Sequence, residues 1–255
     1  MDVIVIIPAR YASTRLEGKP LLDIAGKPMI LWVYERVGAA RFVKDVIVAT
    51  DDKRIFDAVK GFKGKVIMTS ASHKSVTDRL AEAAANLKCD MVVNVQGDEP
   101  LIEPRMIDDA LKPLVDDSEV YMATLKTKIL DAEELNNPNV VKVVTDKNGF
   151  ALYLSRYPIP YVREQENPTI PPLEKGGKGG LGHYKHIGLY VYRKDFLLKF
   201  AQMKPTPLEE AEKLEQLRIL ENGYKIKVVE TKYNSIGVDT QEDLERVRKI
   251  VGSMQ

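Results

Sequence analysis

Val3-Ile-Val-Ile-Ile-Pro-Ala-Arg-Tyr-Ala-Ser-Thr-Arg-Leu-Glu-Gly-Lys-Pro20 opens on five apolar residues and then breaks into a polar, cationic loop. A run that is apolar throughout, without alternation, reads as a strand covered on both faces. Val46–Ala49, Val66–Met68 and Met91–Val95 have the same character. Helix signals lie between them. Pro28 suits the first turn of a helix through Met29, Trp32, Val33 and Val37. Ser75-Val-Thr-Asp78 has the capping-box pattern ahead of Leu80, Ala83, Ala84 and Leu87. Pro104 precedes Met106, Ile107, Ala110 and Leu111. Strands alternating with helices predict an α/β fold with a mostly parallel sheet and right-handed crossovers.

The second half reads differently. Val140–Thr145 and Phe150–Ser155 flank Asp146-Lys-Asn-Gly149, and the Asn-Gly pair signals a hairpin. His186–Tyr192 reads as a strand and Ile226–Val229 as another. One helix is expected from about Leu208 to Gly223, its C′ glycine. A last helix, Thr240–Val251, again opens on a box-like Thr240-x-x-Asp243. The pattern implies one domain over residues 1–255, with a β-rich insertion around 120–200 and no internal repeat. From Asn167 to Gly182, eight of sixteen residues are Pro or Gly, a surface loop by composition. It suits a tolerated insertion or an active-site lid.

The 255 residues hold 38 Lys and Arg against 37 Asp and Glu, a formal charge of +1. That balance argues against partners bound through bulk positive charge, such as nucleic acid or an anionic membrane surface. At 44% hydrophobic and 29% charged the composition is globular. No apolar run is long enough to span a bilayer. The start lacks the pattern of a signal peptide, so a cytoplasmic protein is expected. Cys89 is the single cysteine, which excludes an intrachain disulfide and a cysteine-cluster metal site.

Ligands of open parallel sheets bind beyond the carboxyl ends of the strands, where the loop after Ile7 lies. It carries Arg10, Arg15 and Lys19 against Glu17 alone, a charge that suits a polyphosphate. A basic surface loop would read the same. The loop is neither a Walker A sequence nor a G-x-G-x-x-G fingerprint. Val95-Gln-Gly-Asp-Glu-Pro100 ends another strand. Gly97 permits a close backbone approach, and Asp98 stands where a hard divalent ion would sit. Turn or cap formation is the structural alternative. Gly237-Val-Asp-Thr240 places Asp239 just before a helix, so capping competes here too, although Thr240 already fits that role. If these loops converge, Asp98 and Asp239 clamp one metal beside a basic loop. That arrangement suits transfer chemistry on a nucleoside triphosphate.

Seven stretches run in order through nearly the whole chain: Ile7-Pro-Ala-Arg-Tyr-Ala-Ser-Thr-Arg-Leu16 with Gly18-Lys-Pro-Leu21, Asn94-Val-Gln-Gly-Asp-Glu-Pro100, Asn137-Pro-Asn-Val-Val-Lys-Val-Val144, Ala151-Leu-Tyr-Leu-Ser-Arg156, His186-Ile-Gly-Leu-Tyr190, Leu214-Glu-Gln-Leu-Arg218 and Gly237-Val-Asp-Thr240. Together they resemble the 3-deoxy-manno-octulosonate (Kdo) cytidylyltransferase family. The opening loop is shared loosely with other sugar nucleotidyltransferases, whereas the later stretches are more specific. The resemblance implies a Rossmann-like nucleotidyltransferase fold, a homodimer, Mg²⁺, and transfer of CMP from CTP to Kdo for lipopolysaccharide assembly. By position it implies that Pro8, Ala9, Arg10, Arg15 and Lys19 hold the triphosphate, with Arg79 and Asp98 also at the nucleotide. Asp98 and Asp239 are implied magnesium ligands. Gln96, Ser155, Arg156, His186, Tyr190, Glu215 and Gln216 would surround the sugar acid, and the β-rich insertion would serve sugar binding and dimerisation. Arg10, Lys19, Asp98 and Asp239 would carry the catalysis.

Two departures stand out. Glu17 sits where the family often has proline, and Val76 replaces a glycine of the Ser-Gly-Thr/Ser-Glu/Asp-Arg pattern. The three histidines make no zinc site on spacing. Tyr157, Tyr161 and Arg163 suit a pocket wall or a dimer interface. Two other readings stay open: a cytidylyltransferase for 8-amino-Kdo or sialic acid, and a catalytically silent nucleotide-binding protein.

Overall fold

Every residue of Val3–Ala9 is buried in the strand it forms, β1, as a run without polar alternation requires. The structure, a computed structural model, describes residues 1–12, 16–73, 75–163 and 182–253. Arg15, and the glycine- and proline-rich loop apart from Gly182, lie outside the described residues. After β1 come β2 (Asp23–Ile24), β3 (Lys27–Pro28), α1 (Met29–Gly38), β4 (Asp45–Thr50), α2 (Lys53–Gly61), β5 (Lys65–Met68), α3 (Val76–Ala85), β6 (Met91–Asn94) and α4 (Pro104–Asp116). The chain continues through β7 (Met122–Lys128), α5 (Ala132–Asn136), β8 (Lys142–Thr145), β9 (Ala151–Ser155), β10 (Tyr184–Arg193), α6 (Lys194–Ala201), α7 (Pro207–Glu212), α8 (Gln216–Glu221), β11 (Lys227–Glu230) and α9 (Gln241–Gly252). The expected mixed α/β architecture with a mostly parallel sheet is borne out.

The chain divides into two compact units. The first comprises Met1–Lys112, Leu189–Gln202 and Tyr233–Gln255. In it β1 lies between β4 and β6 and runs parallel to both, with Val5 opposite Val46 on one side and Val93 on the other. β5 extends the sheet in parallel beyond β4, and the last residues of β10 pair antiparallel with β6. α9 is seated by Leu244, Val247 and Val251 on Ile24, Met29 and Val238, all buried. Each such side chain contributes roughly 2 kcal/mol by leaving water. The capping box at its start is present in both halves, between Thr240 and Asp243. At α3, Ser75 accepts a hydrogen bond from the Asp78 N–H, as expected.

The second unit comprises Pro113–Gly188 and Met203–Lys232, and so begins before residue 120 and takes in segments beyond 200. β8 and β9 form the expected antiparallel hairpin, with Val143 opposite Leu154. Its turn is held by the Asp146 carboxylate, which accepts from the N–H groups of Asn148 and Phe150, and Gly149 adopts φ 77°. β7 and β11 are parallel, with Leu125 opposite Val229. The single helix expected from Leu208 to Gly223 is instead two, α7 and α8. Lys213 takes a left-handed conformation, φ 55°, that ends α7. A buried ion pair spans the break, since Arg218 Nε donates to Glu209 Oε2 at 2.7 Å.

Candidate active site

The nucleotide candidates gather in the first unit. A cavity of about 330 Å³ is lined by Pro8 and Ala9 at the end of β1, by Arg10 and Lys19 from the loop that follows, and by Gln96 and Asp98 after β6. Arg79 of α3 and Asp239 before α9 complete it, and Val76 lines it as the first residue of α3. The strand ends come close at Gly97, where a Cβ would stand 3.1 Å from the Pro8 carbonyl oxygen, a tight contact that glycine relieves. The loop after β1 folds back through a bond from the Gly18 N–H to the Tyr11 C=O at 3.0 Å.

Asp98 and Asp239 meet because of a main-chain bond and a core contact. The Val238 N–H donates to the Asp98 C=O at 2.9 Å, and the Val238 side chain is buried in the cluster beneath α9. Between the two carboxylates stands the Lys19 ammonium, 2.7 Å from Asp98 Oδ2 and 3.0 Å from Asp239 Oδ1. Burial opposes the charge on Lys19, but the two aspartates together outweigh it and raise its pKa above the ordinary lysine value. Glu99 turns away and accepts a hydrogen bond from Ser235 Oγ. Capping at the start of α9 falls to Thr240, which leaves the Asp239 carboxylate to Lys19.

Two carboxylates aimed at one cation form a set of hard oxygen donors. Among the described residues no third His, Cys, Asp or Glu completes such a group. The pair therefore fits a magnesium ion that draws its remaining ligands from phosphate and water. Arg10 is held by the main chain, with Nη2 donating to the His73 C=O at 2.9 Å. Arg79 is buried and pairs with Asp51 at 2.7 Å and with Thr69 Oγ1, so its charge serves the floor of the cavity.

The sugar candidates are divided between the units. Gln96 and Tyr190 belong to the first: Gln96 donates to Asn94 Oδ1 at 3.3 Å, and Tyr190 lies opposite Asn94 in the β10–β6 register. Ser155, Arg156, His186, Glu215 and Gln216 belong to the second. There Ser155, the last residue of β9, and Arg156 after it lie against the last residue of α7, Glu212, while Glu215 stands at the N-cap of α8 and Gln216 begins it. His186 Nε2 lies 3.0 Å from Thr124 Oγ1, and its N–H donates to the Val141 C=O.

Sequence reasoning missed Glu212 and Lys142. Glu212 sits in an acidic helical run, which reads as solvated surface. Lys142 is fully buried, and its ammonium donates to the carbonyls of Asn137, Val140 and Arg156 at 2.7–2.9 Å. Only its place in a Val-rich run marks it as unusual.

Burial lowers the pKa of His186 to about 4. Below pH 6.5 the unfolded chain takes up a proton that folded His186 refuses, so stability falls between pH 6.5 and about 4 and is level above. Discounted for the residue's partial exposure, the loss is about 2 kcal/mol. Urea midpoints at pH 5 and 7 should differ more in the wild type than in His186→Gln. Equal pH dependence in the two proteins would refute the assignment.

A mostly parallel α/β sheet with a cationic loop, one carboxylate after a strand and a second before a helix has the layout of a nucleotidyltransferase. The chain belongs to the cytidylyltransferase family, whose family model matches residues 4–226. It is 62% identical over 247 residues to the 3-deoxy-manno-octulosonate cytidylyltransferase of Geotalea uraniireducens, covering 97% of this chain and 98% of the relative. Identity to the protein of that name from Geobacter metallireducens is 59%, covering 97% and 96%. Among solved structures it is similar to a CMP:2-keto-3-deoxy-manno-octonic acid synthetase complexed with CTP, at 43% identity and a TM-score of 0.91 over the whole of both chains. The resemblance read from the sequence is thereby borne out.

Proposed function

We propose that this chain transfers CMP from CTP to the anomeric 2-hydroxyl of Kdo, giving CMP-Kdo and pyrophosphate. The observation that carries this reading is the convergence of Asp98, Asp239 and Lys19 beside Arg10, in a chain similar over its full length to proteins bearing that activity. The 2-hydroxyl oxygen gives up its proton to solvent and attacks the α-phosphorus, the bond from that phosphorus to the bridging oxygen breaks, and pyrophosphate leaves with the electron pair. Asp98 and Asp239 would hold Mg²⁺, which when bound supplies Lewis-acid activation of the hydroxyl and neutralises phosphate charge. Arg15 helps to hold the triphosphate, and Arg10 and Lys19 take the charge that builds on the leaving group. Arg156 is the partner of the acceptor's carboxylate, which its fork geometry matches.

On this reading the product serves lipopolysaccharide assembly in the cytoplasm. No helix among the described residues is long and apolar enough to cross a membrane. Tyr157 and Tyr161 are 78% and 82% exposed, a disposition that suits the contact of a homodimer. The test is pyrophosphate release with each of the four nucleoside triphosphates against Kdo, 8-amino-Kdo and a sialic acid. Release should require CTP and be fastest with Kdo. No release from CTP with Kdo would overturn the reading, and faster release with another acceptor would reassign the substrate.

A further inference from the structure

We propose that Glu212 is a positioning residue for the acceptor, holding Ser155 and Arg156 in the pose that the sugar-acid carboxylate meets. The proposal rests on the reading of Arg156 given above. Glu212 ends α7 and contacts two consecutive residues of β9 and its extension through three atoms. Its Oε1 accepts from Ser155 Oγ at 2.7 Å, its Oε2 from the Arg156 N–H at 2.9 Å, and its carbonyl oxygen from Arg156 Nε at 2.7 Å. From the other side the Lys142 ammonium donates to the Arg156 C=O at 2.7 Å. Arg156 is thus held at its N–H, its C=O and its guanidinium at once.

The remaining donors follow by counting. A guanidinium has five N–H groups. Nε serves Glu212, one hydrogen of Nη1 serves the Pro138 carbonyl at 3.0 Å, and one of Nη2 lies towards the Lys213 carbonyl at 3.5 Å. Among the described residues one N–H on each terminal nitrogen is left, the number a carboxylate accepts in a paired contact. The rotamer entropy of a long side chain is lost before the acceptor arrives, which favours binding. Glu212 itself is unsuited to meet an anionic acceptor, and both of its oxygens are already occupied. Its effect passes through Arg156.

The experiment is a double-mutant cycle on steady-state kinetics. Glu212→Ala should raise the KM for Kdo about tenfold or more, since it leaves part-buried donors without their carboxylate, while the KM for CTP stays within about twofold. Glu212→Gln keeps one accepting oxygen and should fall between wild type and Glu212→Ala. Arg156→Ala alone should raise the Kdo KM at least as much. The double variant should be no worse than Arg156→Ala, because coupled residues are not additive. Additive losses, or an unchanged Kdo KM in Glu212→Ala, would overturn the proposal. An unchanged Kdo KM in Arg156→Ala would overturn the reading beneath it, and this proposal with it. If Glu212→Ala does not fold, Glu212→Gln carries the same cycle.

Discussion

Replacing Asp98 by Asn should cut pyrophosphate release by about two to three powers of ten, the usual cost of losing one electrostatic contact to developing charge. The amide keeps the size of the carboxylate and gives up its charge. In the folded chain Asp98 is the nearer of the two anions beside Lys19, at 2.7 Å against 3.0 Å for Asp239. In the variant Asp239 alone would have to hold the metal, and Lys19 would keep one anionic partner. The Asp98 side chain is a third exposed, so the fold should survive. The check is single-turnover pyrophosphate release with CTP and Kdo, read beside a thermal melt. Turnover near wild type in a folded variant would remove Asp98 from the metal site.

The largest loss of stability should follow Arg218→Ala. Arg218 and Glu209 are both buried, and the guanidinium spans the carboxylate through Nε and Nη2 while Nη1 donates to the Met203 C=O at 3.1 Å. Truncating the arginine leaves a buried carboxylate without a partner, at a cost of about 3–5 kcal/mol. For a chain of this size that is a fall of roughly 10 °C in the midpoint of thermal unfolding. Replacing both partners by apolar residues of similar volume should recover most of the loss, because no charge is then stranded. Calorimetry on the single and double variants decides it, and a single-variant shift under about 2 °C would show that the pair is not needed.

The parts of the fold that sequence reveals are those fixed by local chemistry. β1, β4 and β6 were legible because strands covered on both faces are apolar throughout, and α3 and α9 because Ser75 and Thr240 cap them. The break at Lys213 was not, since a lysine in a left-handed conformation carries no mark in the sequence. The β2–β3 turn hides in the same way, because Ala25 takes φ 51° ahead of Gly26. At the site, Asp98 and Asp239 were each visible as a strand-end or pre-helix acid. Their meeting depends on the bond from Val238 to Asp98 and on packing beneath α9, which no local pattern encodes. Lys19 was expected among phosphate ligands, and its ion pairs with the two aspartates were not legible beforehand. Glu212 and Lys142 were invisible because their roles are defined by partners 14 to 57 residues away in sequence.

Lys19 and Asp239 are 220 residues apart along the chain. A ribosome synthesising this protein therefore makes the basic loop and Asp98 long before the second aspartate exists. Contacts of such separation form late, after shorter loops have closed. Before residue 239 is made, Asp98 is the one of the two carboxylates that Lys19 could meet, and α9 has yet to supply the core that seats Val238. On the reading proposed above, the two carboxylates that would hold a divalent ion come together only when synthesis is nearly complete.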